Sequence, residues 1–429
     1  MRICVLGFGK SGYGSTLLAK EKFYDVFVSE MNEISENDKN FLYSNKIDFE
    51  DKGHSIENIL KSDLVIKSPG IPNNCKIVQL IKQNNILITD ELNFAAQFTN
   101  AFLIGVTGTN GKSTIVSMVY HIMNFANYDV DLCGNIGNSF AQSLSIRDKK
   151  YFVLEMSSFQ LEYWQSKLNI ACISNISRNH LNRYNYDYNE YIKTKFNILN
   201  NMTENDSFIY LKQEGLINQY IQNYSVNKIA IDENNLLNYN LNDQFSVCNC
   251  YNAAMAIEMA NIVGIDKQTS IQALKTFVNL PHRVEYITTY NGVKFYDDSK
   301  STTVASTKIA LQNFDDHSVI LLAGGIDKGN DYNEILSVFK KKVKCLVCLG
   351  KDNTTLINFF SKIIDQVYSY DNMTLAVDKA IEYSQPKDNV LLSPMCASQD
   401  LFKNYDERGV IFKEKVLKHK NSVNPEIYD

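Results

Sequence analysis

No stretch of this 429-residue chain approaches the roughly 20 consecutive apolar residues that a membrane-spanning helix needs. The opening MRICVLGFGK is apolar only briefly, runs straight into glycines and lacks a small-residue cleavage site, so it reads as a buried strand rather than a signal peptide. An excess of basic residues is also missing. The formal net charge of −5 argues against non-specific nucleic-acid binding. Nor is there a disulfide framework: nine cysteines, odd in number and scattered, fit a reducing cytoplasm. The CLVC stretch at Cys345 to Cys348 has redox spacing but sits in an apolar run, where core cysteines are expected. Short internal repeats and low-complexity segments are absent too.

What is there is a soluble globular composition, 45% hydrophobic and 21% charged, on a chain too long for a single core. Short apolar runs alternate with helix-like segments along its whole length. ICVLGFG, YDVFVSE and SDLVIKSPGIP read as strands, and ILITDELNFAAQF carries the chain out of this first series near residue 90. AFLIGVTG, YFVLEMSS and NIACISNIS form a second series. After LPHRVEYI breaks the pattern, YNGVKFYDDSK reads as a turn at Asn291-Gly292 leading into a strand. SVILLAGGIDKG, KCLVCLG and NVLLSPMCAS complete a third series. This alternation predicts an α/β protein with parallel sheets throughout, and a polar tail that frays after Lys418.

Open parallel sheets bind ligands at the carboxyl ends of their strands, where most of the unusual polar clusters fall. In GVTGTNGKST, Gly108 and Gly111 let backbone N–H groups of Thr109 and Asn110 face one anion. Lys112 supplies charge for outer phosphates, and Ser113 or Thr114 a hydroxyl for magnesium. Val106 stands where the usual phosphate-loop spacing wants its first glycine, so spacing alone does not decide between a nucleotide site and a glycine-rich turn. Glu155, directly after a buried strand, suits a metal ligand, although an ordinary strand-end carboxylate would look the same. His180 follows the neighbouring strand in the same way. GFGKSG (Gly7, Gly9, Gly12), with Glu30 ending the second strand, has the pattern of a dinucleotide site. A nicotinamide oxidoreductase is therefore a standing rival.

Taken in order, GVTGTNGKST, CGNIG, EMSSFQLE, NISRNHLNRY, YIKTKFNIL, LPHRVEY, DDSKSTT, GGIDKG and SPMCASQDLFKNYDERG resemble the Mur ligases across essentially the whole chain. The fit is nearest to the members that join D-glutamate to UDP-N-acetylmuramoyl-L-alanine. GTNGKS alone would equally suit the folylpolyglutamate synthases; the C-terminal stretch is the more specific. In this family the loop is written G-T-N-G-K-[ST], so Val106 is no defect.

The resemblance implies a cytoplasmic, monomeric, ATP- and Mg2+-dependent ligase that works through an acyl phosphate, without nucleic acid or membrane insertion. It also implies three domains: a Rossmann-like UDP-binding domain (1–92), a central P-loop ATP-binding domain (93–281) and a Rossmann-like amino-acid-binding domain (282–429). Lys112 and Ser113 match the phosphate and metal contacts of the loop, Glu155 and His180 the magnesium ligands, and Lys195 the carbamylated lysine supporting a second metal. Asn249, Asn252, Arg283 and Asp298 match nucleotide contacts, and Asn135 and Ser157 muramoyl-side contacts. Lys300, Thr302, Lys328, Ser398 and Tyr405 match the D-glutamate pocket, while Gly7, Gly9, Gly12, Ser29 and Glu30 would line the UDP site. Ser29-Glu30, Asn179, Asn182, Cys248, Gln399 and Tyr405 depart from the usual residues, without removing a charge the chemistry requires.

Overall fold

The computed structural model describes residues 1–239 and 247–423. The Cys248 side chain, named above as a departure, lies outside the described residues. The chain divides into two compact units, Met1–Phe277 and Val278–Asp429.

The first unit carries two sheets. In one, β1 (Arg2–Leu6), β2 (Asp25–Ser29), β3 (Asp48–Glu50), β4 (Leu64–Lys67) and β5 (Leu87–Thr89) lie in the order β3-β2-β1-β4-β5. In the other, β6 (Phe102–Thr107), β7 (Val130–Gly134), β8 (Tyr151–Glu155), β9 (Ile170–Ile173), β10 (Ser207–Leu211) and β11 (Asn227–Ile231) lie in the order β11-β10-β9-β6-β8-β7. Every pairing in both sheets is parallel. The central strands read as unbroken apolar runs because helices cover both faces. A single buried cluster runs from Ile3, Val5 and Leu18 through Phe94 to Phe140, Phe152 and Trp164, so the two sheets share part of their core. Helix Lys10–Glu21 packs on helix Phe140–Ile146, and a Cβ at Gly14 would stand 1.9 Å from Ser139 Oγ. Only a glycine permits so close an approach.

The second unit corrects the expectation of parallel sheets throughout. Its strands β12 (Glu285–Tyr290), β13 (Val293–Asp297), β14 (Val319–Gly324), β15 (Val343–Leu349), β16 (Val367–Tyr370) and β17 (Asn389–Met395) form a mixed sheet ordered β12-β13-β17-β14-β15-β16. β12 and β13 are antiparallel. The cause is the Asn291-Gly292 turn, whose two residues have φ of 50° and 75° and close a two-residue hairpin. Pro394 sits near the end of the interior strand β17, where the register with β14 shifts between Leu322 and Gly324. A proline has no N–H for the ladder, so it is tolerated at such an irregularity. Cys345 and Cys348 are fully buried in β15, and the described cysteines are all free. The fraying expected after Lys418 does not occur at once: helix Tyr405–Val423 continues past that residue.

Candidate functional site

The loop between β6 and helix Lys112–Phe125 is built as its sequence demands. Gly108 and Gly111 have φ of 144° and 83°, and Gly111 caps the helix in the left-handed region. A Cβ on Gly108 would stand 1.9 Å from Ser174 Oγ, and one on Gly111 would stand 2.9 Å from Asn252 Oδ1. The loop is anchored by the segment after β9. Asn175 O accepts from Thr109 N–H at 2.9 Å, and Asn175 Oδ1 from Asn110 N–H at 3.0 Å. Thr109 Oγ1 donates to Ser177 O and accepts from Ser177 N–H. Ser174, Asn175 and Ser177 were not among the expected site residues; their place directly after a strand beside β6 is the signal that could have found them.

Two lysine side chains converge on one carbonyl here. Lys112 Nζ donates to Gly108 O at 2.9 Å and to Thr109 O at 3.0 Å, while Lys195 Nζ donates to Gly108 O at 2.8 Å. Lys195, on helix Tyr188–Phe196, is only 2% exposed. Burial first, and the Lys112 charge second, push its amine well below the ordinary lysine range. The aromatic face of Tyr191 lies 4.9 Å from its Nζ.

Glu155 ends β8, is 3% exposed, and accepts from Asn135 Nδ2 at 2.7 Å through Oε1. Asn135, at the end of β7, thus holds a carboxylate as well as facing solvent. His180 is exposed, takes φ of 52° and sets its ring edge-on to Phe159, with centroids 5.1 Å apart. Glu155 and His180 follow strands that do not pair with each other. β6 lies between β8 and β9, so the two residues flank the loop strand rather than following adjacent strands. Ser113 and Thr114 are buried in the first turn of the loop helix. Asn252, on helix Val247–Val263, abuts Gly111 and donates to Asn249 Oδ1 at 3.2 Å. Ser157 is occupied as a helix cap, in a reciprocal arrangement with Gln160.

At the carboxyl end of the first sheet lies a cavity of about 330 Å3, lined by Gly7, Gly9, Lys10, Glu30, His54 and Ser68 among others. Gly12 packs its helix on β1, since a Cβ there would stand 2.0 Å from Gly7 O; beside Gly9 the space is open. Glu30 Oε2 accepts from Phe8 N–H at 2.6 Å and so spans the glycine loop. Ser29 does not line this cavity: it is fully buried, and its hydroxyl donates to Glu50 Oε1 at 2.7 Å. Lys10, His54 and Ser68 were missed in the sequence, where only the glycines and the strand-end acid stood out.

In the second unit, Asp298 follows β13 and is 3% exposed. It accepts from Ser393 Oγ at 2.7 Å and Val284 N–H at 3.2 Å, and burial raises its carboxyl to about 7 against the pull of those bonds and of Arg283. Lys300 Nζ lies 5.2 Å from the centre of the Tyr405 ring, and Thr302 N–H donates to Lys300 O. Lys328 is exposed on a loop that Ile326 and Ala397 tie to the segment holding Ser398. That antiparallel bridge brings two of the expected acceptor-pocket stretches together. Arg408, not expected as a site residue, is 1% exposed and binds Ser299 Oγ, Ser299 O and Cys396 O. It ties the segment after β13 to the segment after β17.

Three family models match the chain: the MurD N-terminal domain over residues 2–77, the Mur ligase middle domain over 106–264, and the Mur ligase glutamate ligase domain over 282–396. The UDP-N-acetylmuramoylalanine–D-glutamate ligase of Christiangramia forsetii is 37% identical, covering 97% of this chain and 99% of its own length. That of Bacteroides thetaiotaomicron is also 37% identical, with the same coverage. Among solved structures, the UDP-N-acetylmuramate-alanine ligase MurC of Thermotoga maritima superposes with a TM-score of 0.61 at 17% identity, covering 98% of this chain and 100% of its own. The MurF ligase of Thermotoga maritima, solved with ADP, gives 0.60 at 14% identity, covering 97% and 95%. The nicotinamide reading of the first glycine loop gives way to these matches. From its N-terminal domain to its glutamate ligase domain, the chain belongs to the Mur ligase family, among the UDP-N-acetylmuramoylalanine–D-glutamate ligases.

Proposed function

We propose that this protein is the ATP-dependent ligase that adds D-glutamate to UDP-N-acetylmuramoyl-L-alanine in peptidoglycan precursor synthesis, acting in the cytoplasm as a monomer with magnesium. Three domains, 1–92, 93–281 and 282–429, would carry the uridine diphosphate, the ATP and the amino acid. The observation that carries the reading furthest is the buried Lys195 amine beside Lys112 at the phosphate loop.

A protonated amine at Lys195 would repel a divalent cation held by Ser113, Glu155 and His180. Burial favours the neutral amine, the nucleophilic form that would take up carbon dioxide with loss of a proton, and the resulting carbamate would turn repulsion into attraction. On this reading, magnesium binding by Ser113, Glu155 and His180 would go with a carbamylated Lys195. When bound, the metal would neutralise charge on the transferred phosphoryl group. The rest falls to the chain. Lys112 and the backbone N–H groups at the start of its helix would hold the phosphates, not those of Thr109 and Asn110, which Asn175 already occupies. Asn249 and Asn252 would contact the nucleoside from the first unit; in the second unit, Arg283 and Asp298 are assigned to the same ligand. Gly7, Gly9 and Glu30 would enclose the uridine diphosphate, with Gly12 serving the packing of its helix instead, while Asn135 and Ser157 orient the muramoyl arm. Lys300, Thr302, Lys328, Ser398 and Tyr405 present the D-glutamate amine to the acyl phosphate.

A phosphate-release assay with UDP-N-acetylmuramoyl-L-alanine, ATP and a panel of amino acids tests this. D-glutamate should support the fastest release, well ahead of L-glutamate, D-glutamine and D-alanine. Faster release with L-lysine, meso-diaminopimelate or L-alanine would leave the ligase chemistry standing and overturn the acceptor.

A further inference from the structure

The cavity of the first sheet contains a histidine whose hydrogen-bonding state is fixed by its neighbours. His54 lines the cavity, and its Nδ1 lies 2.7 Å from Ser29 Oγ. Ser29 has one hydroxyl proton, and Glu50 Oε1, 2.7 Å from the same oxygen, can only accept while ionised. Glu50 Oε1 also accepts from Ser55 N–H at 2.7 Å, so both of its neighbours there are donors. The Ser29 proton therefore points to Glu50, and Ser29 Oγ must accept from His54. This places the imidazole proton on Nδ1. The nitrogen left for the cavity is Nε2, a bare acceptor in the neutral ring.

The charged groups around His54 do not reverse this. Burial lowers its pKa below the ordinary histidine value, while Glu50 and Glu30 pull the other way less strongly; Lys10 also lines the cavity. Burial thus favours the uncharged ring.

Resting on the reading of this cavity as the uridine-diphosphate site, we infer that His54 reads the nucleobase, accepting the imino N3–H of uracil at Nε2, with Ser29 and Glu50 as positioning residues that hold the tautomer. A cytosine ring offers an acceptor at that position and would set lone pair against lone pair. An N3-methylated uracil has no proton to give. Discrimination then comes from leaving a desolvated acceptor unmatched, the more effective kind of rejection.

Titration calorimetry of the full-length protein with UDP, N3-methyl-UDP and CDP tests the assignment. Wild type should prefer UDP over each of the others by roughly tenfold, the scale of one hydrogen bond and its orphaned partner. His54→Ala should bind all three about equally. His54→Gln, which keeps an acceptor, should recover part of the preference, and guards against misfolding in the alanine variant. Ser29→Ala should reduce the preference by freeing the tautomer. In wild type the preference should also shrink as pH falls through the His54 titration, because a protonated Nε2 confronts N3–H with another donor. Wild type that turns over with D-glutamate yet binds the three nucleotides alike, or a preference unchanged in His54→Ala, overturns the role of His54 alone. Failure of wild type to bind UDP at all removes the uridine-diphosphate reading together with this one.

Discussion

At the scale of single residues, the motif made Lys112 legible, whereas Lys195 was visible only through resemblance. A lysine in YIKTKF looks like any solvated helix lysine, because nothing in the local pattern shows that its side chain packs under the phosphate loop. Ser29 is the converse case: the strand-end position suggested a ligand contact, but β2 is buried on both faces and the Ser29 hydroxyl is taken up by Glu50 and His54. Lys112→Ala should lower turnover about a hundredfold or more, as loss of an electrostatic clamp costs ~3–4 kcal/mol; steady-state phosphate release measures it. Lys195→Ala should be nearly inactive and partly restored by a small added carboxylate such as acetate. Intact mass and crystallography of active enzyme should find the carbamate, and free amine alone would defeat that role. The depressed amine also leaves a mark on stability: the unfolded chain binds the proton that the folded one refuses. Unmodified protein should therefore gain stability as pH rises from the folded Lys195 titration toward the ordinary lysine range.

At the scale of elements, the long buried strands were readable as apolar runs, and the phosphate-loop helix begins at the expected Lys112. The edges were not. β3 and β16 are short and only half-buried, so they lack both the length and the apolar content that mark a strand. The hairpin of the third sheet was half seen: Asn291-Gly292 was recognised as a turn, but the alternation argument assigned parallel neighbours everywhere. One contact between elements carries its own pH signature. Glu91, on helix Glu91–Ala96, is fully desolvated and accepts from Ala141 N–H at the start of helix Phe140–Ile146. Burial raises its carboxyl to about 8, above its unfolded value, so the folded form holds a proton that the unfolded form releases. Its stability contribution is present at low pH and declines as pH climbs from the ordinary carboxyl range toward 8. Glu91→Gln keeps the acceptor without the charge and should flatten that decline, as denaturant titrations across the range will show.

At the scale of the whole molecule, the order of motifs announced the family, and the family models follow the same order. What sequence order could not supply was the bridging of GGIDKG to CASQDLF through Ile326 and Ala397, a contact across distant sequence. If that pairing frames the acceptor pocket, Lys328→Ala should raise KM for D-glutamate far more than KM for ATP. Ser398→Ala should do so to a smaller degree. Parallel shifts in both constants would show that the loop serves folding rather than recognition.

The Gly14–Ser139 contact has a consequence for how such proteins can be recombined. The two helices approach so closely that neither surface can be exchanged without the other. A chimera that takes its N-terminal segment through helix Glu91–Ala96 from a relative inherits one half of a fitted pair and must bring Ser139 and helix Phe140–Ile146 with it. Module shuffling in this lineage is thereby confined to cuts that respect a seam invisible in the order of the motifs.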